Sequence, residues 1–79
     1  MKIKPKDKFR HFKGSIVEVV CIAKNSENLE EMVVYHHDNE YWVRPLTMFL
    51  EKIDENRLDN STHQKYRFEK IEEVIYDKY

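Results

Sequence analysis

The sequence is poor in glycine, cysteine and proline, which occur once, once and twice among its 79 residues. One glycine is too few for a glycine-rich loop of the kind that wraps a phosphate group. A single cysteine, Cys21, excludes an internal disulfide and a zinc site of four cysteines. Because Cys21 lies in an apolar stretch, we expect a buried thiol rather than a catalytic nucleophile.

Long apolar runs are also missing. No segment approaches the roughly 20 apolar residues that a membrane-spanning helix requires. The lysine-rich start, residues 1–13, has no apolar run after its lysines and does not fit a secretory signal. We therefore expect a cytoplasmic protein that makes no contact with membranes.

Charged and aromatic side chains are abundant by comparison. They make up 37% and 13% of the sequence, and the formal net charge is −1. A chain of 79 residues forms one domain with a thin core and buries only about 60% of the surface that its unfolded chain exposes. We therefore expect aromatic rings to supply most of the bulk of the core.

Basic residues concentrate at the start of the chain. Residues 1–13 carry six Lys or Arg against one Asp, whereas residues 14–50 carry two against six acidic residues. A basic arm can attract a polyanion, so nucleic-acid association is one candidate function, although the acidic body disfavours it. The side chains that would contact phosphates are Lys2, Lys4, Lys6, Lys8, Arg10 and Lys13.

The densest group of aromatic and apolar residues is the segment 41–50, which contains the only Trp. Side chains alternate along a strand, so Trp42 and Arg44 would lie next to each other on one face. A guanidinium beside an indole stabilises the pair by about 0.5–2 kcal/mol. Such a pair would hold the fork of Arg44 in a fixed direction, as binding of a carboxylate or phosphate requires.

Pro45 ends this strand because it has no N–H to donate, and it suits the first position of a helix. Leu46, Phe49 and Leu50 follow at helical spacing. The pattern predicts one short helical turn after Pro45 that places these three side chains in the core.

Four other segments have the composition of β-strands. β-Branched residues dominate 16–23, apolar residues and histidines alternate in 32–37, and shorter stretches at 51–53 and 66–71 indicate two further strands. Both faces of 16–23 are largely apolar, which is typical of a long bent strand that serves two halves of a small barrel. We therefore expect a mainly β fold, a small antiparallel barrel of about five strands.

A tight hairpin is predicted between the strand at 32–37 and the strand that begins at Tyr41. Asp38 and Asn39 tolerate the positive φ values that a two-residue turn demands. The hairpin would pair the two strands in antiparallel fashion and bring Tyr35 close to Trp42 and Arg44.

The domain organisation follows from these patterns. Residues 1–8 are expected to be a basic, flexible arm, residues 9–71 the barrel domain, and residues 72–79 a tail that is a short helix or frayed. Within the domain, the segment 54–65 is polar except for Leu58, so we expect a flexible excursion there.

Short motifs are spread from Phe9 to Ile71. They are His11-Phe12-Lys13-Gly14, Ile22-Ala23, Ser26-Glu27, Val33-Val34-Tyr35, Trp42-Val43-Arg44-Pro45, Met48-Phe49, Glu51 and Arg67-Phe68. The most specific part is the Trp-Val-Arg-Pro motif followed two residues later by Met-Phe. Together the motifs resemble the bacterial family catalogued as domain of unknown function 1653. The resemblance implies a small SH3-like β-barrel that stands alone as a cytoplasmic bacterial protein, and it implies no established activity.

The chain departs from the pattern of that family at several positions. Asn25 and Val17 stand where the family often has His and Tyr. The hairpin at 36–40 is shorter than is common in the family, and the polar segment 54–65 replaces a glycine-rich turn. The resemblance therefore covers the core and the arginine motif better than the loops.

The four histidines do not form a metal-binding pattern. His36 and His37 are adjacent and would face opposite sides of a strand, while His11 and His63 lie in separate segments. We expect no bound metal and no cofactor. Enzymatic chemistry would need His11 with Glu27 as acid and base, and we expect the protein not to be an enzyme.

A binding function fits the residues better. SH3-like barrels commonly bind extended peptides or other ligands in aromatic grooves. Our first hypothesis is a non-catalytic module that recognises a small acidic ligand, a peptide or a protein partner. The candidate ligand-binding residues are Arg44, Trp42, Tyr35, His11, Arg10 and Glu27.

The same residues also have a structural interpretation. Trp42 and Tyr35 can be core side chains, and for Trp42 alone we favour the core. Arg44 can be held in an ion pair inside the fold. The carboxylates available for that pair are Glu27, Glu30 and Glu51. Because a second copy can cover an exposed edge strand, we expect a monomer or a weak dimer.

Overall fold

Five β-strands and one short helix make up the computed structural model, which describes residues 3–71. In chain order the elements are β1 (Lys8–His11), β2 (Ile16–Lys24), β3 (Glu31–His37), β4 (Glu40–Pro45), α1 (Leu46–Phe49) and β5 (Phe68–Ile71). All strand pairs are antiparallel, and the order across the sheet is β4-β3-β2-β1-β5. The mainly β class, the five strands and the helical turn after Pro45 are confirmed.

The sheet is open rather than closed into the expected barrel. β4 and β5 are its two edges, and no strand pairing joins them within residues 3–71. Lys52 forms only an isolated bridge with Tyr66, in place of the strand expected at 51–53. The fifth strand is instead β1, whose Lys-Phe-Arg-His sequence has one apolar residue and carries no clear strand signal.

A two-residue turn joins β3 to β4. Asp38 and Asn39 adopt φ values of 58° and 63°, as in the mirror-image turns that match the twist of the flanking strands. The register set by this turn places Tyr35 directly opposite Trp42. The predicted hairpin and the predicted nearness of Tyr35 to Trp42 are confirmed.

The core lies on one face of the sheet and is closed by α1. Phe49 of α1 is fully buried, and its ring stacks on that of Phe68 with centroids 4.1 Å apart. The edge of the Phe9 ring meets Phe49 at 5.0 Å. The buried core residues are Phe9, Val17, Val19, Val33, Tyr35, Phe49 and Phe68. Aromatic rings therefore supply most of its bulk, as the composition indicated.

The opposite face of the sheet carries both apolar and charged side chains and is partly exposed within the described residues. A bulge between Val19 and Cys21 shifts the pairing of β2 with β3 and leaves Val20 39% exposed. Cys21 is half-buried rather than buried as expected. A bulge bends a strand and increases its twist, so the two apolar faces of β2 belong to a bent strand in an open sheet.

The polar segment 54–65 folds against β1, although we expected a flexible excursion. Asn60 and Gln64 are each 2% exposed. The Asn60 amide donates to the carbonyls of Asp54 and Gln64 at 3.1 and 2.8 Å. The Gln64 amide donates to the Arg10 carbonyl at 2.9 Å. Side-chain hydrogen bonds hold this loop, and they cannot be predicted from the pattern of hydrophobic residues in the sequence.

Part of the expected basic arm, residues 1–8, is bonded to β2. The Lys6 N–H donates to the Val19 carbonyl at 2.8 Å, and the Val19 N–H donates to the Asp7 carbonyl at 2.8 Å. The expected tail, residues 72–79, lies outside the described residues. In the part of the chain that the structure describes, no helix has the length and apolar character needed to cross a membrane.

Candidate functional site

β3 and β4 place three of the predicted side chains on one face of the sheet. Directly paired residues of antiparallel strands share a face, and the register pairs Tyr35 with Trp42 and Val33 with Arg44. Since Val33 and Tyr35 belong to the core, Trp42 and Arg44 project from the core face of β4, at the open edge of the sheet.

A cleft of about 210 Å³ on this face brings together four of the predicted residues. They are His11, Tyr35, Trp42 and Arg44. His11 enters the cleft because it pairs with Phe68 across β1 and β5. The remaining lining residues are Lys13, Ser15, Val17, His37 and Phe68.

Trp42 lines this cleft with about half of its surface in solvent. It is 46% exposed, and its Nε1 donates to the His37 carbonyl oxygen at 3.2 Å. The core position that we favoured from the sequence is therefore wrong. The reason is the position of β4, because no strand within residues 3–71 covers its outer edge.

Arg44 brings an unpaired donor to the cleft. Its Nε is buried and has no hydrogen-bond partner among the described residues. The guanidinium carbon lies 5.8 Å from the centroid of the Phe68 ring, within the range of a cation–π contact. A buried donor without a partner costs about 1–3 kcal/mol, so the fold gains if a small movement of the neighbouring side chains lets an acceptor reach this atom.

The carboxylates that the sequence offered to Arg44 lie elsewhere. Glu51 accepts a hydrogen bond from Arg67 Nε at 2.6 Å. Glu27 and Glu30 are exposed in the turn between β2 and β3. Within residues 3–71, no ion pair includes Arg44. The structural interpretation of Arg44 as an internal ion-pair partner does not hold for this part of the chain.

His11 is a neutral hydrogen-bond donor in the cleft. The Lys13 backbone N–H donates to His11 Nδ1 at 3.1 Å, so the neutral ring carries its proton on Nε2. Burial, and then nearby positive charges beginning with Arg44, lower the pKa of His11 from 6.5 to about 4. His11 is therefore uncharged at neutral pH.

The electrostatic character of the cleft is positive. Among residues 3–71, no carboxylate lines it. Arg44 and Lys13 supply the cationic groups, although Lys13 Nζ also lies 3.8 Å from an Asp59 carboxylate oxygen. His11 and Ser15 add neutral donors. This arrangement is complementary to an anionic group attached to a flat or apolar body.

A family model described as "Protein of unknown function (DUF1653)" matches residues 7–70. This chain is a member of the DUF1653 family. The resemblance drawn from the sequence motifs is thereby confirmed. Comparisons with curated proteins and with solved structures give no match.

In this DUF1653 protein the most specific motif occupies the edge of the sheet. Its Trp-Val-Arg-Pro part lies in β4, and its Met-Phe part lies in α1. Phe49 is fully buried in the core, whereas Met48 is 42% exposed. The motif thus combines one residue that closes the core with two, Trp42 and Arg44, that line the cleft.

Two predicted site residues of the DUF1653 chain lie outside the cleft. Arg10 Nε donates to Gln64 Oε1 at 3.0 Å and holds the polar loop. Glu27 is exposed in the turn between β2 and β3 and does not line the cleft that contains His11. His37 also lines the cleft but was not among the predicted site residues, although strand alternation places it on the face of Tyr35.

The basic residues of the start do not form one surface. Several of them line a second cleft, of about 610 Å³, that also contains acidic groups. Its charged lining residues are Lys4, Lys6, Asp7, Lys8, Glu18 and Lys70. The Asp7 carboxylate lies 2.8 Å from Lys4 Nζ and 3.6 Å from Lys70 Nζ, and the hydrogen bond from Lys4 lowers the pKa of Asp7. The positive charge there is partly neutralised within the fold, and Lys2 lies outside the described residues.

Proposed function

We propose that this protein is a non-catalytic binding module that holds an anionic group, a carboxylate or a phosphate, against Arg44. The observation that carries the proposal is the buried Arg44 Nε without a partner. The two oxygens of the anion would accept from the Arg44 guanidinium, and the side chains around the buried Nε would have to move slightly for one oxygen to reach it. The anion would belong to a small acidic ligand, a peptide or a protein partner.

The energetics favour such a ligand over water. A hydrogen bond to a charged group contributes about 1.5–3 kcal/mol, roughly twice the contribution of a neutral one. The cleft also has low polarity around the guanidinium, because the Phe68 ring lies beside it and Val17 is 3% exposed. In such surroundings an attraction between opposite charges is stronger than on an open surface.

The other side chains that line the cleft determine what kind of molecule can carry the anionic group. Trp42 offers the exposed half of its indole, and His11 offers an Nε2–H that donates without adding charge. Flat aromatic and planar groups pack against such rings with little loss of side-chain entropy. We therefore expect an aryl or similarly flat apolar group next to the carboxylate or phosphate.

The test is an amide-shift titration of the ¹⁵N-labelled protein with benzoate and with phenyl phosphate. Neutral benzamide, which has the shape of benzoate, is the control ligand. The largest shifts should occur at His11, Trp42 and Arg44, and benzamide should cause much smaller ones.

A matched pair of variants isolates the guanidinium. Arg44→Gln should weaken benzoate binding at least about tenfold. Arg57→Gln removes the same charge from an exposed site beside Asp59 and Phe12, and it should leave binding unchanged. Equal affinity in the two variants, or shifts confined to residues outside the cleft, would overturn the proposal.

We also propose a cytoplasmic location. The support is the free thiol of Cys21, which a reducing compartment preserves.

A further inference from the structure

β4 presents an unpaired backbone edge in the described part of the chain. The two-residue turn makes its flanking residues, His37 and Glu40, a hydrogen-bonded pair. Bonded and non-bonded pairs alternate along an antiparallel ladder. The backbone groups of Glu40, Trp42 and Arg44 therefore face β3.

The intervening residues, Tyr41 and Val43, direct their N–H and C=O groups away from the sheet. Their side chains are 72% and 59% exposed. Edge strands are usually protected from pairing by charges, prolines or bulges. On this edge the only proline is Pro45, at the last position of the strand. Among residues 3–71, no strand pairs with the outer side of β4 at its centre.

The sequence of β4 is complementary to itself when read in reverse. A second copy can pair its own β4 antiparallel to this one, with Trp42 of one copy directly opposite Trp42 of the other. The outward backbone N–H and C=O groups of Tyr41 then form hydrogen bonds with those of Val43 of the second copy. By symmetry, Val43 forms the same bonds with Tyr41 of the second copy. In the same register Glu40 of the second copy lies directly opposite Arg44, and the two Trp42 side chains face each other.

Each side-chain pair in this register belongs to a stabilising class. Aromatic residues opposite β-branched residues, opposite charges and paired aromatic rings all stabilise antiparallel strands. Glu40 and Arg44 lie on the core face of β4, so the carboxylate of the second copy approaches the Arg44 guanidinium, which has no ion pair within residues 3–71. A shift of two residues in either direction separates these charges.

We infer that two copies of this protein associate through their β4 strands, antiparallel and centred on Trp42, with Glu40 of each copy beside Arg44 of the other. The contact is symmetric and closes on itself, which is the commonest arrangement of a dimer. It joins two five-stranded sheets into one continuous sheet. Because a single pair of short strands buries little surface, the dimer is weak. The inference stands independently of the proposed anionic ligand.

Charge exchange provides the test, with sedimentation equilibrium of the full chain at about 10 μM to about 1 mM as the measurement. Glu40→Arg and Arg44→Glu should each weaken self-association at least about tenfold, because like charges then face each other twice in the symmetric dimer. The double variant Glu40→Arg/Arg44→Glu should restore it. An equimolar mixture of the two single variants should form heterodimers, since all facing charges are then opposite.

A second pair of variants tests the backbone contact. Val43→Pro removes an outward N–H and preserves the bonds to β3, so the variant should be a folded monomer. Val43→Thr retains the N–H and should still dimerise. The inference is overturned if the natural chain is monomeric over the whole range, if Val43→Pro dimerises, or if the mixed variants do not associate. Amide-exchange protection of Tyr41 and Val43 in the dilute monomer would also overturn it, because another segment would then cover the edge.

Discussion

Trp42 and Arg44 project from the same face of β4, and within residues 3–71 Trp42 Nε1 has a hydrogen-bond acceptor whereas Arg44 Nε has none. Trp42 Nε1 donates to the His37 carbonyl at 3.2 Å, whereas Arg44 Nε has no partner within residues 3–71. The hydrogen bond sets the orientation of the indole, and the guanidinium beside it keeps a donor for another acceptor.

Arg44→Met should leave the free energy of unfolding unchanged within about 0.5 kcal/mol, because removing a buried donor without a partner offsets the lost cation–π contact with Phe68. Arg67→Met should lower it by about 1–3 kcal/mol, since Glu51 loses its ion pair and Phe12 loses a cation near its ring. Urea unfolding followed by circular dichroism measures both changes. A large loss of stability in Arg44→Met would mark Arg44 as a structural residue and contradict the binding proposal.

The stability of the fold should depend on pH through His11. Its pKa is about 4 in the folded protein against an ordinary value of 6.5, so between these values the unfolded chain takes up a proton that the folded protein does not. The contribution of neutral His11 is therefore complete above about pH 6.5 and declines as the pH falls toward 4.

Two measurements check this pH dependence. An NMR titration of the imidazole protons should give a pKa near 4 for His11. His11→Asn should flatten the loss of stability between about pH 6.5 and 4, whereas His63→Asn, which changes an exposed ring, should not. An ordinary pKa for His11 would show that water reaches the cleft more freely than the structure indicates.

Asn60→Ala should destabilise the protein by about 2–4 kcal/mol, because several buried hydrogen bonds are lost together. The Asn60 amide donates to two carbonyls, and its Oδ1 accepts from the Gln64 N–H at 3.0 Å. Asn56→Ala, at an exposed position of the same loop, should change the stability by less than about 0.5 kcal/mol. Thermal and urea unfolding provide the comparison, and similar values for the two variants would mean that the loop does not hold β1.

Benzoate should shift the self-association equilibrium toward the monomer, because its carboxylate and Glu40 of the second copy would compete for Arg44. Sedimentation of the protein with benzoate should show a smaller dimer fraction than sedimentation with benzamide at the same concentration. An unchanged dimer fraction at saturating benzoate would show that the two acceptors bind in different places.

Local patterns in the sequence were sufficient for much of β3 and β4. Alternation placed Trp42 and Arg44 on one face, and the positive φ values tolerated by Asp38 and Asn39 predicted the hairpin. Local patterns did not predict β1, because its strand conformation depends on backbone pairing with β2 and β5 rather than on its own residues. They failed also for the segment 54–65, because its order comes from buried amide hydrogen bonds.

By itself the sequence determined the family, the mainly β class, the hairpin and the pairing of an indole with a guanidinium. These features depend on neighbours within a few residues, where alternation and turn chemistry act directly. Only the tertiary structure decided that β4 is an edge and that Trp42 is half exposed. It also decided that Glu51 is held by Arg67 while no carboxylate of residues 3–71 reaches Arg44. Those features depend on which strands lie side by side and on contacts between side chains that are far apart in the sequence. Neither can be predicted from a local sequence pattern.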